Sequence, residues 1–135
     1  HLVGDRVSGV IYEMSQDFAT DTSGDGMRRV RVAPHLTEEL KRATYSKFQL
    51  HMEVGLGLTS GQGSDPQAML RWSNDGGQTW SQPLNASVGR IGEYGQRVIW
   101  RRLGSARDRV FEVSVSDPIP WRLVDAYLDV KQGTS

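Results

Sequence analysis

From Lys47 to Leu58 the chain alternates apolar and polar side chains. Phe48, Leu50, Met52, Val54, Leu56 and Leu58 interleave with Lys47, Gln49, His51, Glu53, Gly55 and Gly57. A period of two puts the first set on one face of an extended strand and the second set on the other, which predicts a strand with one buried side. Shorter extended runs are predicted over Val7 to Met14 and Arg28 to Val32, separated by the polar loop Thr20 to Gly26. Ala68 to Trp72 and the run from Leu84 onward flank a turn. Gln96 to Leu103 and Asp108 to Ser116 read as a second hairpin, turning through Gly104-Ser105-Ala106-Arg107. On its outgoing arm Phe111, Val113 and Val115 share a face, with Val110, Glu112 and Ser114 opposite. Asp117-Pro118-Ile119-Pro120 ends that arm, because proline has no N–H to give a ladder, and Trp121 to Val130 supplies a last strand. Thr59 to Pro66 is loop, and only Thr37 to Arg42 reads as a short helix, with Thr37 as its cap.

This succession predicts an all-β chain. An antiparallel β-sandwich is preferred to the alternative, a partial β-propeller built of hairpins, since isolated blades would expose the faces that neighbouring blades cover. Phe48, Leu50, Met52, Val54, Leu70, Trp100, Phe111, Val113 and Leu128 are the expected core. A length of 135 residues suits a single β-domain over 1–135. The chain opens on His1 without an initiator methionine, so the expectation is a fragment of a longer polypeptide.

Charge and cysteine content narrow the chemistry. Lys+Arg and Asp+Glu are both 16, for a net charge of zero, so no global attraction to nucleic acid or to a membrane surface is expected. Without cysteine there is no disulfide scaffold, no thiolate zinc site and no thiol nucleophile. No apolar run approaches the length of a membrane span or a secretory signal.

The most specific local pattern is Ser73-Asn74-Asp75-Gly76-Gly77-Gln78-Thr79-Trp80. Ser73 and Asp75 can accept hydrogen bonds from turn N–H groups, Gly76 and Gly77 permit the positive φ of a tight bend, and Trp80 puts an apolar body beneath it. Ser73, Asp75, Gly77, Thr79 and Trp80 occupy the fixed positions of a pattern that resembles the Asp-box of sialidase-type β-propellers and other β-rich proteins. In those proteins the motif usually lies away from the active site, so it implies a self-satisfied turn and a β fold rather than catalysis.

A longer resemblance begins with Met69-Leu70-Arg71-Trp72 and the turn. It runs through Val88-Gly89-Arg90-Ile91-Gly92-Glu93-Tyr94-Gly95, Arg97 to Gly104, and Ala106-Arg107-Asp108-Arg109-Val110-Phe111-Glu112-Val113 to Ser116-Asp117-Pro118. In this order the segments are similar to the C-terminal part of the packaged-DNA stabilisation proteins (tail hub or head-completion proteins) of short-tailed phages. The first half, with Tyr12-Glu13-Met14 and Arg29 to Pro34, matches more loosely. The resemblance implies a non-enzymatic virion component of the tail, assembled in the host cytoplasm. It would help close the DNA-filled head and attach tail parts through contacts with other head–tail proteins and with its own copies in a symmetric assembly.

Arg97, Arg101, Arg102, Arg107 and Arg109 lie on the predicted second hairpin, with Asp108 and Glu112 among them. By strand parity Arg97, Ile99, Arg101 and Leu103 share one face, while Val98, Trp100 and Arg102 share the other. They read as cross-strand pairs with the carboxylates on a solvated face, as a protein–protein interface, or as a phosphate-contacting surface. Interleaved acids and zero net charge count against DNA.

Catalytic readings are thin. Asp75, Glu93, Asp108 and Glu112 could supply a glycosidase pair only at a defined separation across a cleft. His1, His35 and His51 are scattered, and His51 falls on the outward face of the long strand. Asp17, Asp21 and Asp25-Gly26 lack the oxygen spacing of a calcium loop, and the sequon Asn85-Ala86-Ser87 has no secretory context. No cofactor, metal or small-molecule substrate is expected. The competing function is a carbohydrate-binding or sialidase-like β-domain, suggested by the turn motif and by Trp72, Trp80, Trp100 and Trp121.

Overall fold

Ten strands carry the fold in the computed structural model, which describes residues 2–4, 6–7, 9, 11–13, 27–34, 36, 41–119 and 122–133. They are β1 (Leu2–Gly4), β2 (Ile11–Glu13), β3 (Arg29–Val32), β4 (Ala43–Met52), β5 (Gln67–Ser73), β6 (Leu84–Ser87), β7 (Val98–Arg101), β8 (Ser105–Ala106), β9 (Val110–Val115) and β10 (Leu123–Gln132). Every pairing is antiparallel. One sheet runs β10-β4-β7, with β8 also pairing β4; the other runs β3-β9-β5-β6; β1 and β2 form a separate small ribbon. There is no helix among the described residues.

The larger sheets face each other across an aromatic core, giving the antiparallel β-sandwich the patterning predicted. Phe48 of β4 and Phe111 of β9 meet at 5.1 Å between ring centroids, and Tyr45 and Trp72 pack edge-on against Phe111. Phe48, Leu50, Met52, Leu70, Trp100, Phe111 and Val113 are buried, while Val54 and Leu128 pack against them half-buried. At one flank the sheets are tied together where Trp100 Nε1 donates to Leu84 O at 2.9 Å. Among the described residues the opposite flank, between edge strands β3 and β10, is an open groove.

Several boundaries differ from the pattern. The long strand starts earlier and ends at Met52, because Gly55 takes φ +77° and turns the chain away. A Cβ there would lie 2.8 Å from Tyr94 Cδ1, so the glycine seats the 88–97 loop against the end of the strand. A register shift against β10 at Asp129/Val130 marks a bulge at Ser46, so Tyr45 and Phe48 both face inward despite opposite parity. Within the first expected strand Ile11–Glu13 is extended and pairs Leu2–Gly4, Val7 lies in a turn, and Ser8 and Val10 lie outside the described residues. The last strand is shifted to Leu123–Gln132. Of the expected helix, residues 37–40 lie outside the described residues and Lys41-Arg42 are not helical. Met14, the Thr20 to Gly26 loop with Asp17, Asp21 and Asp25, His1, His35 and Trp121 also lie outside them.

The main correction concerns the second hairpin. β7 pairs β4 in one sheet, whereas β9 pairs β3 and β5 in the other. β8 still pairs β4, so the chain crosses between the sheets over residues 107–109 instead of turning back within one. Arg102 adopts φ +59° and Gly104 φ +74°, which redirect the chain after β7 and turn Leu103 into the core. All six residues of β9 are buried, since it is a central strand whose outer face is covered by charged side chains from its neighbours.

Candidate functional site

The turn after β5 satisfies its own backbone. Ser73, almost wholly buried, donates its Oγ proton to Asp75 Oδ1 at 2.6 Å and accepts from Gly77 N at 2.8 Å. Asp75 Oδ1 also accepts from Gln78 N at 3.0 Å and Thr79 N at 2.8 Å, and Thr79 Oγ1 donates to Asp75 Oδ2. Gly76 and Gly77 hold φ of +76° and +98°, which side chains resist. The Ser73 hydroxyl, then the Thr79 hydroxyl and N–H, hold the Asp75 carboxyl well below the usual carboxylate range.

A carboxylate whose folded-state pKa is depressed contributes stability above its unfolded value and loses it as the pH falls. Asp75→Ala is therefore expected to lower Tm by several degrees at neutral pH and to flatten the loss of stability that the wild type shows below about pH 4. Thermal melts from neutral to acidic pH check this; an unchanged Tm together with loss of a binding activity would mean the turn serves recognition rather than folding.

Trp80 lies under the Arg71 guanidinium, 4.6 Å from ring centroid to Cζ. Arg71 in turn grips Glu112 through Nε–Oε1 (3.1 Å) and Nη2–Oε2 (2.9 Å), and Arg28 Nη2 donates to Glu112 Oε1 at 3.0 Å. Glu112 is buried and held between arginines. This is how an acidic residue sits on a central strand, and it leaves no free carboxylate there for catalysis.

The arginines part company. Arg109 is only 2 % exposed. Its guanidinium lies 4.7 Å from the Tyr45 ring centroid, 4.9 Å from Trp72 and 5.6 Å from Phe111. Nη1 donates to Leu103 O, Nη2 to Ser105 O at 3.4 Å, and Nε to Asn74 Oδ1 at 2.9 Å. Burial pushes the Arg109 pKa down and the Tyr45 pKa up. Arg109 thus fastens the sheet crossover, the turn after β5 and the aromatic core together, which no local pattern in the chain announces.

Arg97, Arg101, Arg102 and Arg107 are exposed, and none has a carboxylate partner among the described residues. Ion pairs form elsewhere, as in Lys47–Asp129 (3.4 Å), Arg90–Asp65 (3.6 Å) and Arg122–Glu53 (3.6 Å). Arg97 precedes β7 and Arg101 ends it, roughly 13 Å apart along an extended strand. Arg102 lies between β7 and β8, and Arg107 lies in the crossover. The structure does not bring the five onto one hairpin face.

Among the described residues no catalytic constellation is assembled. Among the described residues no three His, Cys, Asp or Glu side chains group to hold a metal. Trp100 is buried, while Trp72 and Trp80 are partly buried with an arginine over each ring, so none of the three offers an open platform for a sugar.

Among the described residues the chain is an antiparallel sandwich with a self-bonded turn and surface arginines that have no carboxylate partner. A search of curated proteins finds no match. A family model described as bacteriophage P22 Gp10, beta-sandwich, matches residues 28–131. The chain belongs to this phage structural-protein family, and the match spans both large sheets and omits only the β1–β2 ribbon among the strands.

Proposed function

We propose that the chain is a non-enzymatic domain of a phage tail, a hub or adaptor that helps close the DNA-filled head and attach tail parts through protein–protein contacts. The observation that carries this reading is the family match over residues 28–131, which runs from just before β3 to within β10. The exposed Arg101 and Arg107 support contact with neighbouring proteins, because guanidinium groups without a carboxylate partner among the described residues can pair across an interface. Zero net charge argues against genome binding as the main role.

Charge reversal at Arg107 or Arg101 (Arg107→Glu, Arg101→Glu), introduced into the phage, is expected to reduce infectious particles at least tenfold and to accumulate heads without complete tails. The Tm of the chain should stay within about 2 °C, as surface substitutions usually cost little. Normal assembly by both variants would return these arginines to a solvated surface role. Salt-sensitive binding of the chain to duplex DNA, lost in Arg107→Glu, would favour phosphate contact instead.

A further inference from the structure

Strand β3 borders the open groove with its side-chain parity reversed. It pairs only with β9 among the described residues. Arg29 and Arg31 stand opposite Val115 and Val113, two inward-facing core residues, so both arginines point into the gap between the sheets. Val30 and Val32, opposite Ser114 and Glu112, face outward and are 45 % and 50 % exposed. Arg29 donates to Asp117 O and Ile119 O, which fixes the strand to the connection between β9 and β10. Arg31 is exposed and has no carboxylate partner among the described residues.

The backbone of β3 is equally one-sided. Ala33 N–H donates to Phe111 O at 2.9 Å, so the odd-numbered positions turn their N–H and C=O groups toward β9. Those of Val30 and Val32 point to the free edge, and Pro34, the next even position, has no N–H to add. The open stretch suits a short segment, about three to five residues long. Beside it lies the groove of about 870 Å³, floored by Phe48, Leu50, Phe111 and Val113. Asp125 edges its far side, with its carboxylate accepting from Ala126 N–H at 2.8 Å. An edge shaped only to discourage pairing would carry lysine or proline on its outer face, not two valines.

We propose that β3 is a strand-addition site for an extended segment of a partner protein, one that reads apolar, then Asp or Glu, then apolar. Added antiparallel, the segment sets its two apolar residues against Val30 and Val32 through paired backbone hydrogen bonds. The acid between them then falls opposite Arg31, at the mouth of the groove and on the side away from Asp125. Backbone bonds supply the affinity, and the single charge supplies the register. A slip of one residue would turn the acid outward beside the valines and leave an apolar side chain against the guanidinium. The clasp of Arg29 holds the edge in place before the segment arrives, which lowers the cost of ordering it.

The inference rests on the tail-component reading for the presence of partner proteins, and names the kind of segment one of them offers. The probe is the peptide Gly-Ser-Val-Glu-Val-Ser-Gly, titrated into the isotope-labelled 135-residue chain and followed by amide NMR. Saturable shifts centred on the Val30 and Val32 amides are expected, with a Kd of about 0.1–1 mM. The same peptide with lysine in place of glutamate should bind at least about fivefold more weakly, and Arg31→Glu should invert that preference. Val32→Pro removes one outward N–H while leaving the ladder to β9, and should weaken the glutamate peptide about tenfold. Absence of saturable shifts, shifts centred away from β3, or an Arg31→Glu chain that still prefers glutamate would each overturn the proposal. Self-association without peptide that perturbs the same amides and is lost in Val32→Pro would give the edge to a second copy, and would overturn it too. These measurements use the isolated chain, so they stand apart from the particle assembly of Arg101 and Arg107 variants, which judges the tail reading itself.

Discussion

Arg109→Ala is expected to cost about 3–5 kcal/mol, the largest loss from any single polar truncation in the chain. The substitution strips the donors from Leu103 O, Ser105 O and Asn74 Oδ1 and removes a flat cation from among the Tyr45, Trp72 and Phe111 rings. A void in a site this enclosed adds to the cost, since neighbouring side chains relax only in part. Arg109→Lys should recover little, because an ammonium cannot span several carbonyls in a plane and stack at the same time. Arg109→Met should fall between, refilling volume while leaving the carbonyls unbonded. Denaturant titration checks the series through the midpoint at constant slope. A loss under about 1 kcal/mol for Arg109→Ala would show that water replaces the guanidinium at no great expense.

Phe111→Ala is expected to have a comparable effect, about 3–5 kcal/mol, by opening a cavity where the sheets meet. Phe111 is 1 % exposed and touches the rings of Tyr45, Phe48 and Trp72, so its loss removes the contact between central strands β4 and β9. Since Arg109 stacks on the same ring, the two substitutions should not add; the double variant should cost at least 1 kcal/mol less than the sum of the singles. A double-mutant cycle measured by denaturation reads this coupling directly, and strict additivity would mean that the cation and the ring act independently.

Elements with a local cause were legible in the chain. The alternation from Phe48 to Met52 declares its buried face, because side-chain direction follows the backbone pleat. The turn from Ser73 to Trp80 is equally readable, since Ser73, Asp75 and Thr79 bond to one another and to turn N–H groups within four residues. What could not be read was which strands become neighbours. Val98 to Arg101 and Val110 to Val115 alternate like the arms of a hairpin, and nothing in either run tells that one joins β4 and the other β5. The bulge at Ser46 had no glycine to mark it, and it moved the buried parity by one position. Arg109 was one of five arginines within thirteen residues, and only the tertiary meeting of three rings sets it apart from Arg107.

The crossover between the sheets also governs how the chain can acquire its structure. β4, β7, β8 and β10 belong to one sheet and β3, β5, β6 and β9 to the other, so the two layers are threaded alternately along the polypeptide. Arg29 must find Val115, and Ala43 must find Gln132, before either sheet is complete. Such distant pairings place the chain among slow folders, in the range of milliseconds to seconds, because loops must close before the contacts that reward closure exist. During synthesis β4 emerges long before β10, and β3 long before β9. Neither layer can be completed before the last strands leave the ribosome, so the sandwich forms late and as a unit.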